Sequence, residues 1–321
     1  MSDSTSITVF SVLLQVIGWT FILKAVTACF TGVYIYFIRA PRNLQRLGEW
    51  AVITGATDGI GKAYAFALIR RGLKVVLVSR SEQRLDTTAQ EIQAKTPGAT
   101  IKKVAVDLGQ LGDSGTDAQA SGWGRLRQSV DGLDIGLLIN NVGLSYDHPE
   151  YFDQLSEGDS HQIIQVNVQA ATKITRLVLP RMKERRRGAV VFIGSAAATV
   201  LPASPLLAVY GATKAYLDQL ARSLSLEYRS HGISFQNQAP LYVATKMSKI
   251  RRPSLTAPSP QAWVNSAVKH IGYEAVTTPY WVHGIMWWAI SLVPEQFINA
   301  YVLRLHMGIR KRWYAKQKRS Q

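Results

Sequence analysis

In VYGATKAYLDQL, residues 209–220, Tyr210 and Lys214 lie one helical turn apart, so a phenol and an ammonium share one face of an amphipathic helix. A phenol titrates near 10 and is a poor acid or base at neutral pH unless its anion is stabilised. A neighbouring ammonium supplies that stabilisation, which makes the pair a candidate for general acid–base chemistry. Alone the pair decides nothing, because tyrosine and lysine recur at this spacing on ordinary helices. Two further polar residues give it weight. Ser195 closes the apolar run AVVFIGS (189–195), where its hydroxyl can hold a carbonyl oxygen beside Tyr210. Asn167 sits in IIQVNVQAA, an apolar helical stretch in which a carboxamide must find partners. It can order a water that relays protons to Lys214, or it can be a satisfied core residue.

These groups can meet only if the chain around them builds a sheet with one functional edge. Short apolar runs at 50–54, 73–79, 101–106, 134–140, 189–195 and 233–239 read as buried strands, separated by helical patterns at 59–72, 81–95, 158–186 and 206–230. The alternation predicts an α/β fold, a Rossmann-type doubly wound parallel sheet covered on both faces. Ligands of such sheets collect at the carboxyl ends of the strands, where Ser195 falls and where INNVG (139–143) places Asn140 and Gly143.

TGATDGIG (54–61) follows the first strand and opens the first helix. Gly55, Gly59 and Gly61 permit a tight turn and close backbone approach to a pyrophosphate, and Thr57, Asp58 and Ile60 line the same turn. The strand, turn, helix context makes this a dinucleotide cradle. An acidic residue at the end of the second strand would select the ribose hydroxyls of NAD, but VLVSRSEQRL offers Ser79 and Arg80, which suit a 2′-phosphate. NADPH is therefore the expected cofactor, and its oxidised nicotinamide would place a second positive charge near the phenol. Asp107, at the tip of the third strand, either accepts from the adenine amino group or caps the next turn. Val243, just past the sixth strand, is expected against the same cofactor.

Upstream of this pattern, residues 7–38 are nearly all apolar apart from Lys24 and a few hydroxylated residues. About 20 such residues cross a bilayer. Arg39, Arg42 and Arg46 follow, which predicts a transmembrane anchor with the remainder in the cytosol rather than a cleaved signal peptide. The expected organisation is a membrane anchor over 1–46, an NADP-binding catalytic domain over 47–275 and a C-terminal segment over 276–321. In that last segment TPYWVHGIMWWAISLVP (278–294) reads as an interfacial or substrate-covering helix, with a core helix as the alternative. The polar stretch 109–122 reads as a surface loop. A single cysteine, Cys29, excludes an intramolecular disulfide, and no metal-ligand spacing is present. The formal charge of +16 asks for an acidic partner. No basic stripe is interleaved with stacking aromatics, so nucleic acid is not expected; a membrane surface or a phosphorylated small molecule is.

TGATDGIG, NNVG, Asn167, Ser195 and YGATK occur in the order of the motifs of the short-chain dehydrogenase/reductase family, which the chain resembles over roughly residues 48–275. The resemblance implies a tetrad in which Tyr210 is the general acid, Ser195 orients the carbonyl, Lys214 binds the nicotinamide ribose and lowers the phenol pKa, and Asn167 maintains a proton relay. Val142 departs from the family's usual NNAG, and Ala239-Pro240 from its usual PG. With TDGIGKAYAFAL and PLYVATKM (240–247), these variants resemble the microsomal branch of very-long-chain 3-oxoacyl-CoA reductases and related 17β-hydroxysteroid dehydrogenases. That branch implies an endoplasmic reticulum membrane protein whose catalytic domain faces the cytosol and uses NADPH on an acyl-CoA substrate. Reduction of a steroid ketone is the alternative within the same chemistry, and a catalytically silent membrane scaffold is the alternative outside it. Lys246 and Lys249, with Arg251 and Arg252, would then meet the CoA phosphates or face an anionic leaflet. The lipid bilayer, other fatty acid elongation enzymes and a second copy of the chain are the further partners expected.

Overall fold

The computed structural model describes residues 2–110 and 122–320, so most of the stretch expected as a surface loop at 109–122 lies outside the described residues. The chain divides into two units, Met1–Ala40 and Pro41–Gln321. The first is a helix, α1 (Ser2–Val33), that runs into a π-turn at Tyr34–Ile38. Its large apolar side chains are exposed, and Val9–Ile38, with mean hydropathy 1.9, is long and apolar enough to cross a membrane.

The second unit is built on a parallel sheet of β1 (Trp50–Thr54), β2 (Lys74–Ser79), β3 (Ile101–Ala105), β4 (Ile135–Asn140), β5 (Gly188–Ile193), β6 (Ile233–Gln238) and β7 (Val276–Thr277). Their order across the sheet is β3-β2-β1-β4-β5-β6-β7. Alternate strand residues enter opposite cores. Ala51 and Ile53 pack with α2 (Gly59–Ile69), α3 (Glu82–Lys95) and α9 (Pro260–His270), whereas Trp50 and Val52 pack with α4 (Gly122–Val130), α6 (Ala170–Glu184) and α8 (Ala208–Glu227). Burial on both faces is what makes these strands read as continuous apolar runs. Strand order reverses between β1 and β4, and this opens a crevice at their carboxyl ends.

Two elements differ from the periodicity, and a third, β6, matches it in spite of its polar composition. The expected helix over 158–186 is α5 (Glu157–Ile164), a π-turn at Gln165–Gln169 and α6 in series. β6 is buried although it carries Gln236, Asn237 and Gln238, because these amides bond one another, backbone carbonyls and side chains beneath them: Gln238 Nε2 donates to Gln236 Oε1 (2.8 Å) and Asn237 Nδ2 to Asp218 Oδ1 (2.6 Å). β7 pairs with β6 over two residues, too short for any periodicity to register. At the C-terminus, α10 (Trp281–Ser291) buries Val282 and His283 and exposes Ile285 and Trp288, so it is a surface helix rather than a core one. The basic tail is helical as well, as α11 (Glu295–Ser320).

Candidate active site

α8 carries Tyr210 in its first turn, next to the end of β5. There Ser195 caps a short helix, α7 (Ala196–Thr199), its Oγ accepting from the Ala197 amide at 3.2 Å. Ser195 also shares a hydrogen bond with the Tyr210 hydroxyl. Lys214, one turn further on, is 4% exposed; its Nζ donates to the Ile193 carbonyl at 2.8 Å and lies 5.8 Å from the centre of the Tyr210 ring. Three of the four expected groups thus converge at the carboxyl edge of the sheet. Their electrostatics are set by burial. Desolvation raises the Tyr210 phenol above its ordinary range, with the Ser195 hydrogen bond offsetting part of the rise. The sequence-based expectation of a phenol lowered by Lys214 is therefore not met in the protein alone. Desolvation also brings the Lys214 ammonium down, to about 8.

Asn167 is buried in the π-turn, and its carboxamide is engaged by the protein. Oδ1 accepts from the Leu144 amide (2.7 Å), while Nδ2 donates to the Leu144 carbonyl and to Thr213 Oγ1, both at 2.9 Å. It clamps the loop after β4 to α8. A side chain added at Gly143 would stand 3.3 Å from Lys214 Nζ and 3.4 Å from Asn167 Oδ1, so the two groups border the same glycine.

The cradle has the backbone that a pyrophosphate needs. Gly55 and Gly59 have φ of +63° and +51°, and a Cβ on Gly61 would stand 2.3 Å from the Gly55 carbonyl oxygen. Asp58 caps α2 by accepting from the Gly59 amide (2.8 Å), and Arg84 (2.8 Å) and Lys246 (2.9 Å) pair with its other oxygen. Burial alone would raise its pKa, but the bonds from Lys246, Gly59 and Arg84 outweigh that and leave it lowered. Two cations against one carboxylate keep the mouth of the cradle positive. Thr57 Oγ1 meets Ser79 Oγ at 2.9 Å, joining the turn to the end of β2, where Arg80 is exposed. Ile60 packs against the core. A buried ammonium offers three N–H donors, and with one of them on Ile193 the Lys214 group fits the hydroxyls of a ribose. Glycine geometry, helix terminus and this donor set fit a dinucleotide. If Arg80 holds a 2′-phosphate, Arg80→Ala should raise the KM for NADPH about tenfold to hundredfold and leave that for NADH nearly unchanged. Equal changes in steady-state assays with the two cofactors would remove the assignment.

Other expected residues have partners within the protein. Asn140 is the last residue of β4; its Nδ2 reaches Thr175 on α6 at 3.0 Å, away from the cradle. Its neighbour Asn141, not singled out by sequence, braces the cradle, with Nδ2 donating to the carbonyls of Thr54 (2.9 Å) and Gly55 (3.2 Å). Asp107 caps the following turn through the Gly109 amide (2.9 Å). The Val243 side chain is in the core. Lys246 is held at Asp58, and Lys249 donates to the Asp147 carbonyl (2.5 Å). Tyr146 also went unnoticed in the sequence. Its hydroxyl accepts from the Val209 amide (3.1 Å) in the first turn of α8, whose N-cap residue Leu207 supplies no side-chain bond.

A doubly wound parallel sheet with a glycine cradle at its switch point and a Tyr–Lys–Ser cluster two strands away defines a nicotinamide-dependent oxidoreductase. The chain belongs to the short chain dehydrogenase family, whose model matches residues 49–255. It is 40% identical over 280 residues to a very-long-chain 3-oxoacyl-CoA reductase-like protein of Arabidopsis thaliana, covering 86% of each chain. It is 41% identical over 276 residues to the Homo sapiens very-long-chain 3-oxoacyl-CoA reductase, covering 85% of each. Among solved structures, a short-chain dehydrogenase from Sphingobium yanoikuyae in complex with NADPH superposes with TM-score 0.63 at 27% identity, covering 78% of this chain and 95% of that one.

Proposed function

We propose that the protein reduces 3-oxoacyl-CoA to 3-hydroxyacyl-CoA with NADPH, the first reduction of a fatty acid elongation cycle. The observation that carries the reading is the convergence of Ser195, Tyr210 and Lys214 beside a dinucleotide cradle. Similarity to reductases named for that substrate supports it. The cofactor, when bound, supplies a hydride to the ketone carbon. Ser195 holds the ketone oxygen, Tyr210 delivers a proton to it, Lys214 holds the nicotinamide ribose, and Asn167 orders the water through which Tyr210 is reprotonated. The raised phenol carries its proton at neutral pH, as an acid must before delivering it.

The CoA handle needs cations. Lys249, Arg251, Arg70 and Lys95 border a cavity of about 840 Å³ beside the cradle, where two further cations, Lys246 and Lys62, pair with Asp58 and Glu91; the net positive charge of this lining supports a phosphate-bearing substrate. The apolar helix with arginines after it supports anchoring in the endoplasmic reticulum membrane with the larger unit in the cytosol. The test is NADPH oxidation by the membrane-reconstituted protein with 3-oxoacyl-CoA esters of graded chain length and, separately, a steroid 17-ketone. Turnover of the thioesters is expected. Turnover of the steroid alone would overturn the substrate, and turnover of neither would leave the scaffold reading.

A further inference from the structure

Glu150 is a carboxylate that the reduction does not use, yet it is 6% exposed. An uncompensated buried carboxylate is costly, so its partners matter. The Tyr151 amide donates to it at 2.9 Å and His148 Nε2 lies at 3.2 Å. Arg310 Nε donates at 2.5 Å, and the Tyr314 hydroxyl donates to the other oxygen. Burial would raise the Glu150 pKa, but the bonds from Tyr314, Arg310, Tyr151 and His148 overcome it and hold the group at about 2. Arg310 also donates to Gln154 Oε1 (2.7 Å), and the His148 ring stacks on Trp313 with centroids 3.6 Å apart. Arg310, Trp313 and Tyr314 all belong to α11, which lies beyond the segment 49–255 that the family model matches.

The loop that α11 grips in this way also grips the start of the reacting helix. The Glu150 amide donates to the Leu206 carbonyl (2.9 Å), and the Tyr146 hydroxyl takes the Val209 amide (3.1 Å). α11 reaches the same segment directly, as His306 Nδ1 bonds to the Pro205 carbonyl at 2.6 Å. Leu206 has a φ of +65°, in the left-handed region that leucine adopts only when its surroundings enforce it. The residues immediately before Tyr210 are thus strained and pinned at three points, two from the 146–150 loop and one from α11.

We propose that Glu150 and Arg310 are positioning residues for Tyr210: the ion pair between the buried carboxylate and the half-buried guanidinium lets the C-terminal helix hold segment 205–209, and with it the phenol, in register with Ser195. The inference rests on the reductase reading for its kinetic readout but not for its structural one.

The test uses the full-length reconstituted protein carrying Arg310→Met, Arg310→Lys or Tyr146→Phe. A displacement of about 1 Å at a reacting group costs up to about a hundredfold in rate. Arg310→Met is expected to lower kcat about tenfold to hundredfold with the KM for NADPH unchanged, and Arg310→Lys to recover part of the loss. In a Tyr210→Phe background Arg310→Met should have no further effect, because its route to the rate has been removed. Hydrogen exchange gives a readout free of turnover: amides of 205–212 should exchange faster in Arg310→Met while those of 54–61 do not. Should Arg310→Met fail to fold, Arg310→Lys carries the same comparison, and Tyr146→Phe tests separately the loop's own hold on the Val209 amide. The proposal is overturned if kcat is unchanged in folded variants, if the loss persists equally in the Tyr210→Phe background, or if exchange rises equally in both segments. If the wild type reduces no 3-oxoacyl-CoA, the reductase reading falls and the exchange experiment still decides this one.

Discussion

Tyr210→Phe is expected to lower kcat for ketone reduction by about 10²–10⁴-fold, the range spanned by loss of a positioned general acid. The KM for NADPH and the thermal midpoint should hardly move. Phenylalanine fills the same volume, and Ser195 keeps its bond from the Ala197 amide when the phenol is gone, so no buried group is orphaned. Steady-state turnover with saturating NADPH checks the prediction. Wild-type turnover in the variant would mean that Tyr210 does not deliver the proton and would favour the scaffold reading. The pH dependence follows from the same environment. Reduction needs the phenol and the ammonium both protonated; the phenol is raised and Lys214 sits at about 8, so the ammonium loses its proton first. For the free enzyme, kcat/KM should be level below pH 8 and fall above it.

Lys214→Met is expected to lower kcat about a hundredfold or more and, unlike Tyr210→Phe, to raise the KM for NADPH, because the donors proposed for the ribose are lost with the charge. A stability measurement separates its two parts. The unfolded chain keeps the Lys214 proton up to about 10.5, whereas the folded protein releases it near 8. Between those values the unfolded state binds more protons, so the protein without dinucleotide should gain stability as pH rises from 8 to 10.5 on account of this residue. The thermal midpoint of the wild type should rise relative to that of Lys214→Met across that window. A constant difference would show that the ammonium is not desolvated. A kcat loss with unchanged KM for NADPH would remove Lys214 from the cofactor while leaving it beside the phenol.

Legibility varied with how locally each feature is encoded. Gly55 and Gly59 could be read because a turn at positive φ admits little else, and Tyr210 with Lys214 because four residues on a helix put both on one face whatever lies around them. Asn140 and Asn141 could not be told apart by type. Strand parity turns the first toward Thr175 on α6, and the end of the strand frees the second to return to the cradle. The place of Lys246 after β6 could be read, but its pairing with Asp58 follows from how α2 packs and could not.

By itself the sequence determined the alternation of strands and helices, the cradle, the apolar N-terminal helix and the spacing of the reacting side chains, since each of these depends on residues within a turn or a strand of one another. Tertiary structure decided what those groups experience. The upward pull on the Tyr210 phenol, the fall of Lys214 to about 8 and the compensation of Glu150 by Arg310 arise from desolvation and from partners distant along the chain. Removal from water is a property of the whole packed molecule, and no local pattern of residues encodes it.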